Sequence, residues 1–269
     1  MSKIKDKKQV QYVEKINGYC TVIENILKDE VDARAAIEPN NPDSGLKRLE
    51  LTEMMLNLAS NYLVINGISQ SVLNQRDEEA LNEARKTLYK SIIYLEELVS
   101  KYIDSPFSDY EEKLAAIESV NAAKRYLLIR KMGLTIQLLV DAYGDNTKWR
   151  WSFVELEGRY AVVAKNIVNL KDVVANSDPR SPNYEPTVLH LRLIRKLLMQ
   201  AADRYREKYE LSTNNIDDFK MGINFLSSLK RLNIVTNAQV EVATVQKKLE
   251  VWNNKLASDM IKIKESKKG

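Results

Sequence analysis

The run "WRWSFVELEGRYAVVAKNIVNLKDVV", Trp149–Val174, decides the fold. Steps of three and four through it land on Trp149, Phe153, Leu156, Tyr160, Val163, Ile167, Leu170 and Val174, all apolar. That spacing returns to one side of an α-helix at each turn, whereas a half-buried strand would need strict alternation. It predicts one long helix with Trp149 on its buried face. Trp151 lies about 200° further round that helix, on a weaker strip with Val154, Gly158 and Ala161. Side chains two apart on a helix do not face each other, so Arg150 is not sandwiched between two rings. Trp151 reads as packing against a second neighbour or as an anchor for a partner, since Trp is enriched at interface hot spots.

The same steps recur outward along the chain. Upstream they give Val13, Ile16, Cys20, Ile23 and Leu27, then Leu51, Met55, Leu58, Tyr62, Ile65 and Val72, then Leu81, Ala84, Leu88, Leu95, Leu98 and Tyr102. Downstream they give Leu191, Ile194, Leu198, Ala201 and Tyr205, then Ile216, Phe219, Ile223 and Leu226, then Ala238, Val242, Val245, Leu249, Trp252, Leu256 and Ile263. Between about Asp109 and Tyr143 there are two stripes. One runs through Leu114, Ile117, Leu128, Met132 and Leu139, the other through Ala116, Val120, Ala123, Leu127, Leu134 and Leu138. A helix apolar on two sides is expected to be buried between neighbours.

Boundary signals agree with the stripes. Ser108–Glu111 and Thr236–Gln239 have the spacing of capping boxes, and Asp77, Glu78 and Glu79 place negative charge at a helix start. Gly144 suits a helix end and Pro186 a first turn. With eight Gly and six Pro in 269 residues, few tight turns are available. The expectation is an all-α, antiparallel bundle of about eight long helices, five followed by three. The loop "NSDPRSPNYEP" at 176–186 holds three prolines that cannot continue a helix. It sets a division into a five-helix bundle, 1–176, and a three-helix segment, 187–269, which either stands apart or packs on the first as one continuous α domain.

Composition narrows the function class. A net charge of +4 is mild for a dedicated nucleic-acid binder. A single cysteine, Cys20, excludes an intramolecular disulfide and a cysteine-based zinc site. The lysine-rich N-terminus has no apolar signal region, which reads as cytoplasmic, and the lysine-rich ends read as solubilising. The stretch Met54–Gln75 has no charged residue, yet its Asn and Gln side chains are too numerous for a membrane span.

Signals for chemistry are sparse. His190 is the only histidine and reads as a helix-surface or boundary residue. Asp217-Asp218 resembles the start of the aspartate-rich motif of the all-α isoprenoid synthases, which would imply magnesium. Met221 and Gly222 follow where a third aspartate belongs, and the pair reads more simply as N-terminal charge after an Asn215 cap. There is no glycine-rich phosphate loop. No catalytic residue, metal or cofactor is assigned.

Two surfaces remain. Lys124, Arg125, Arg130 and Lys131 on the helix ending at Tyr143, with Arg192, Arg195 and Lys196 on the helix after the proline loop, are candidates for binding an anion if those helices are neighbours. The uncharged back and flank of Met54–Gln75, at Asn57, Ser60, Asn61, Leu63, Val64, Gly67 and Ile68, are candidates for an interface, as is Trp151. The centres of interfaces are depleted of charge, and Asn57 and Asn61 could fix register there. The reading is a non-enzymatic helical scaffold or adaptor that binds another protein, or itself, through a helical face. The alternatives are a nucleic-acid or phospho-ligand module using the basic groove, and an all-α enzyme relying on Asp, Glu, Lys or Tyr.

Overall fold

The computed structural model describes residues 2–37, 43–144 and 147–266. Among them the backbone is 83% helical with no strand, and eight of its ten α-helices are long, as expected of an all-α bundle. Of the lysine-rich ends, Lys7 and Lys8 are exposed, and 267–269 lie outside the described residues. Contacts divide the chain into two units: Met1–Val99 with Tyr110–Lys148, and Ser100–Asp109 with Trp149–Gly269. The sequence division at the proline loop differs from this. That loop is an excursion within the second unit, and the helix read from Trp149–Val174 belongs with those that follow it.

The first unit holds α1 (Ser2–Ala35), α2 (Ser44–Leu73), α3 (Glu78–Leu98), the short α4 (Glu111–Ala115) and α5 (Ala122–Tyr143). Helix α2 is central and packs against α1, α3 and α5. Its residues Leu51, Met55, Leu58, Ile65 and Val72 join Tyr12, Ile23, Ala80 and Tyr94 in one core. The buried line of α1 follows the expected one at Ile16, Cys20 and Ile23 and departs from it at both ends: Val13 and Leu27 are exposed, while Tyr12 and Glu30 are inside. Both polar tips are satisfied from afar. The Tyr12 hydroxyl donates to Asp77 at 2.8 Å. Glu30 accepts from Tyr94 at 2.8 Å and from Lys90 at 3.0 Å. Asp77 also caps α3 by accepting from the Ala80 N–H, and its own N–H donates to Asn66. α2 ends where Asn74 turns left-handed, at φ 56.

The helix expected from Asp109 to Tyr143 is broken. Asn121 turns extended and caps α5 by accepting from the Lys124 N–H at 2.9 Å, because Asn competes with the helix for its own backbone. Ser108 forms no capping box. Its hydroxyl meets Asp109, and α4 starts after Tyr110 without a side-chain cap. Gly144 ends α5 at φ 72, where only glycine rests without strain.

The second unit holds α6 (Arg150–Asn166), α7 (Leu170–Ala175), α8 (Tyr184–Lys208), a π-helical turn at Tyr209–Thr213, α9 (Ile216–Val235) and α10 (Gln239–Ser266). The eight-position stripe spans two helices, because Asn169 turns extended and caps α7 by accepting from Lys171 N–H. Its middle, Phe153 to Ile167, is buried as expected. Its ends are not: Trp149 is half-buried and Val174 is exposed. Ile194, Leu198, Phe219, Leu226 and Trp252 form the core. Thr236 closes α9 by donating to the Leu232 carbonyl rather than opening α10. The segment 100–109 is tied on by Asn166, whose amide donates to the Ser100 carbonyl at 2.8 Å, and Ile103 enters the core.

Candidate functional site

Helix α5 shows the feature that ordinary packing does not account for. Ile129, Met132, Ile136 and Leu139 face inward and are buried. The second stripe, expected to be covered by another neighbour, is open: Leu127 is 57% exposed, Leu134 61% and Leu138 48%. The sequence shows both stripes, but which one is covered depends on how many helices surround α5, and on that side the unit supplies none. Three half-open leucines in one line form an apolar stripe rather than scattered surface residues.

The uncharged stretch of α2 lies beside this line. Lys131 on α5 donates to Asn57 at 2.6 Å and sits 3.6 Å from Glu53. Arg76, beyond the end of α2, donates to the Tyr143 carbonyl at the end of α5. The two helices therefore run in the same direction. Of the expected interface residues, Asn57, Val64 and Gly67 are exposed, and Ser60, Asn61 and Leu63 are half-buried. Beyond Gly67 there is open space where a Cβ would point. Ile68 packs against the core. The polar groups are already engaged within the unit: Ser60 donates to the Leu56 carbonyl, and Asn61 donates to the Asn57 carbonyl.

Towards the N-terminal ends, α2 and α5 enclose a groove of about 500 Å³. Leu46, Leu49, Val120 and Leu128 give it apolar walls. Glu50 and Glu53 rim it on the α2 side, Lys124 and Lys131 on the α5 side.

The basic residues divide between the two units. Arg125 is buried, with its guanidinium donating to the Val120 and Ile117 carbonyls at 2.8 Å, so it stabilises the turn before α5. Arg130 is exposed and covers the Tyr126 ring at 5.6 Å. Arg195 donates to Asn233 at 2.9 Å and to Thr236 at 2.7 Å, which pins α8 to the end of α9. Arg192 and Lys196 are exposed. Lys196 and Arg195 border a smaller groove of about 360 Å³, with Leu229 and Val245 at its base. α5 belongs to the first unit and α8 to the second, so neither unit by itself assembles the basic groove.

Trp151 is half-buried against the second core, with the Arg150 guanidinium 4.8 Å above its ring. Arg150 also pairs with Glu207 at 2.7 Å, and Glu207 with Arg204 at 2.9 Å. Arg204 reaches Glu157, whose carboxyl is pushed up by burial despite that pairing. This ring is one face of an ion-pair chain, not an open platform.

His190 is buried rather than at the surface, its Nε2 3.1 Å from the Ala164 carbonyl. Asp218 pairs with Lys208 at 2.8 Å and accepts from Thr213 at 2.7 Å, while Asp217 pairs with Lys220. Sequence reading missed Lys165 on α6. Burial, then Arg231, push its ammonium down to about 8 against the pull of Asp104. Only tertiary packing produces that shift. Among the described residues, no three His, Cys, Asp or Glu side chains gather as a metal site, and no helix is long and apolar enough to cross a membrane.

The model of the TP0443 family matches residues 8–260. No curated protein matches the chain. Among solved structures, a chain described under "Computational Design of Self-Assembling Cyclic Protein Homooligomers" is similar over 93% of this chain and 99% of its own. Its identity is 12% and its TM-score 0.29, values at which the likeness carries no argument.

Proposed function

We propose that this chain, which belongs to the TP0443 family, is a non-enzymatic helical scaffold or adaptor that engages another protein chain through the joint face of α2 and α5. The observation that carries the reading is the open line Leu127, Leu134 and Leu138 beside the uncharged part of α2 that begins at Met54. Water around half-exposed leucines is unfavourable at roughly 25 cal/mol per Å², and a partner's apolar side chains would remove it. Interfaces combine such an apolar centre with a charged rim, and Glu50, Glu53, Lys124 and Lys131 supply the rim.

The anion-binding reading has less support. Arg125 and Arg195 are spent on their own carbonyl, Asn and Thr partners, and Lys131 on Asn57 and Glu53. The experiment compares capture of cell proteins by wild type and by Leu134→Arg, with circular dichroism as a folding control. Loss of a captured protein with helix content unchanged is expected. A variant that captures the same proteins as wild type overturns the assignment of this face.

A further inference from the structure

We infer that a second copy of this chain covers the α5 face, with the two α5 helices packed antiparallel about a two-fold axis between Lys131 and Leu134. This rests on reading that face as a protein-binding surface, and it names the occupant. The outward line of α5 is Lys124, Leu127, Lys131, Leu134, Leu138 and Asp141, all exposed except the half-buried Lys131. The steps are three, four, three, four and three, the spacing of a coiled-coil seam. A cation stands at one end, an anion at the other, and the leucines between.

That order selects its own partner. Turned end for end, a copy places Lys124 opposite Asp141, Leu127 opposite Leu138 and Lys131 opposite Leu134. A parallel copy would set Lys124 against Lys124 and Asp141 against Asp141. Two identical helices paired antiparallel are related by a two-fold axis, so the assembly closes at a dimer. Asp141 is exposed and accepts from Gln137 of its own helix, and Lys124 is exposed on the groove rim.

The centre of the seam holds Lys131, which would be costly to bury with a free charge. Its ammonium is drawn sideways to Asn57 and Glu53 of its own chain. The methylene stem is left to lie along the seam, and each ammonium stays beside the Glu53 carboxylate of its own chain. The α2 positions level with the axis are Asn57, Ser60 and Asn61, so α2 itself brings no charge to the axis. Leu138 of the second copy arrives at Leu127, at the mouth of the groove walled by Leu46, Leu49, Val120 and Leu128. Such a groove is a hole for that knob, and symmetry fills both.

The test measures the mass of the full chain in solution by light scattering, from low to high micromolar concentration. Wild type is expected to be a dimer, and Leu134→Arg a monomer with the same helical spectrum. Lys124→Asp and Asp141→Lys should each raise the dissociation constant about tenfold or more, because symmetry repeats the like-charge contact. The double swap should return it to within about threefold of wild type. A dimer indifferent to Leu134→Arg, or one whose double swap stays weak, overturns the antiparallel α5 pairing. A wild type monomeric at every concentration overturns the second copy as occupant. The broader protein-binding reading then stands if Leu134→Arg still abolishes capture of another protein, and falls with it if capture is unchanged.

Discussion

Lys165 offers the most quantitative test of the packing. It projects from α6 near Asp104 and Arg231, and burial with the Arg231 charge brings its ammonium from an ordinary 10.5 down to about 8. At 1.36 kcal/mol per pH unit the gap is worth about 3 kcal/mol, or about 2 allowing for remaining water contact. The sign follows from proton counting. Below pH 8 the lysine is charged in both states, and the folded chain bears the whole cost of the buried cation. Between 8 and 10.5 the folded chain gives up the proton while the unfolded chain keeps it, so stability rises with pH at up to about 1.4 kcal/mol per unit. Above 10.5 the cost is gone.

Lys165→Met keeps the stem and removes the charge, so it should stabilise the second unit by about 2 to 3 kcal/mol at pH 7 and show a flat profile. The two curves should converge as pH approaches 10. The assay is urea unfolding followed by tryptophan fluorescence, which reports this unit alone because Trp149, Trp151 and Trp252 all belong to it. The window must stay below about pH 9.5, because tyrosines held above their usual range, Tyr209 at about 12 among them, lose their stabilising protonation from 10 upward. A wild-type profile that is flat relative to the Met variant, or a variant less stable at pH 7, would refute the reasoning.

Other expectations follow from close contacts. A Cβ on Gly222 would lie 3.0 Å from the Ala202 carbonyl oxygen and 3.2 Å from Trp252. Gly222→Ala should therefore cost about 1 to 2 kcal/mol in tryptophan-monitored unfolding, after the gain in helix propensity. Gly18 on α1 has nothing within 4 Å of that position, so Gly18→Ala should raise the helical melting stability by about 0.5 to 1 kcal/mol. Glu30→Ala strips a buried acceptor from Tyr94 and Lys90 and should destabilise the first unit by about 2 to 3 kcal/mol by circular dichroism, with Tyr94→Phe costing nearer 1. Arg195→Lys cannot hold both Asn233 and Thr236; it should lose about 1 to 2 kcal/mol, whereas no loss would free Arg195 for ligand.

The helical class was legible because apolar spacing is a local property: Phe153 to Ile167, Leu191 to Tyr205 and Phe219 to Leu226 are buried as their spacing predicts. Errors concentrate where a side chain far away decides. Tyr12 and Glu30 sit in the α1 interface because Asp77, Lys90 and Tyr94 satisfy them, which a hydrophobic pattern cannot register. Asn121 and Asn169 look like ordinary interior residues until their amides are seen capping the next helix. In the candidate site both stripes of α5 were visible in advance. Their roles were not, since covering one and leaving the other open is a property of the neighbours.

The ten residues 100–109 have a consequence for how the chain is made. Ile103 enters a core whose other walls lie far downstream, and its carbonyl accepts from Ser228, 125 positions later. During synthesis everything the first unit needs has emerged once Lys148 is clear of the ribosome, since that unit ends there. The segment 100–109 is by then already out, tethered at both ends to helices of the first unit and without its own cover. Domains tend to fold as units in the order they appear, so this loop waits uncovered while α6 to α9 are still being added. A nascent chain arrested after Lys148 has emerged but before residue 228 has should thus carry a finished first half with a protease-sensitive bridge at 100–109. The same bridge should become resistant only after α9 has been released.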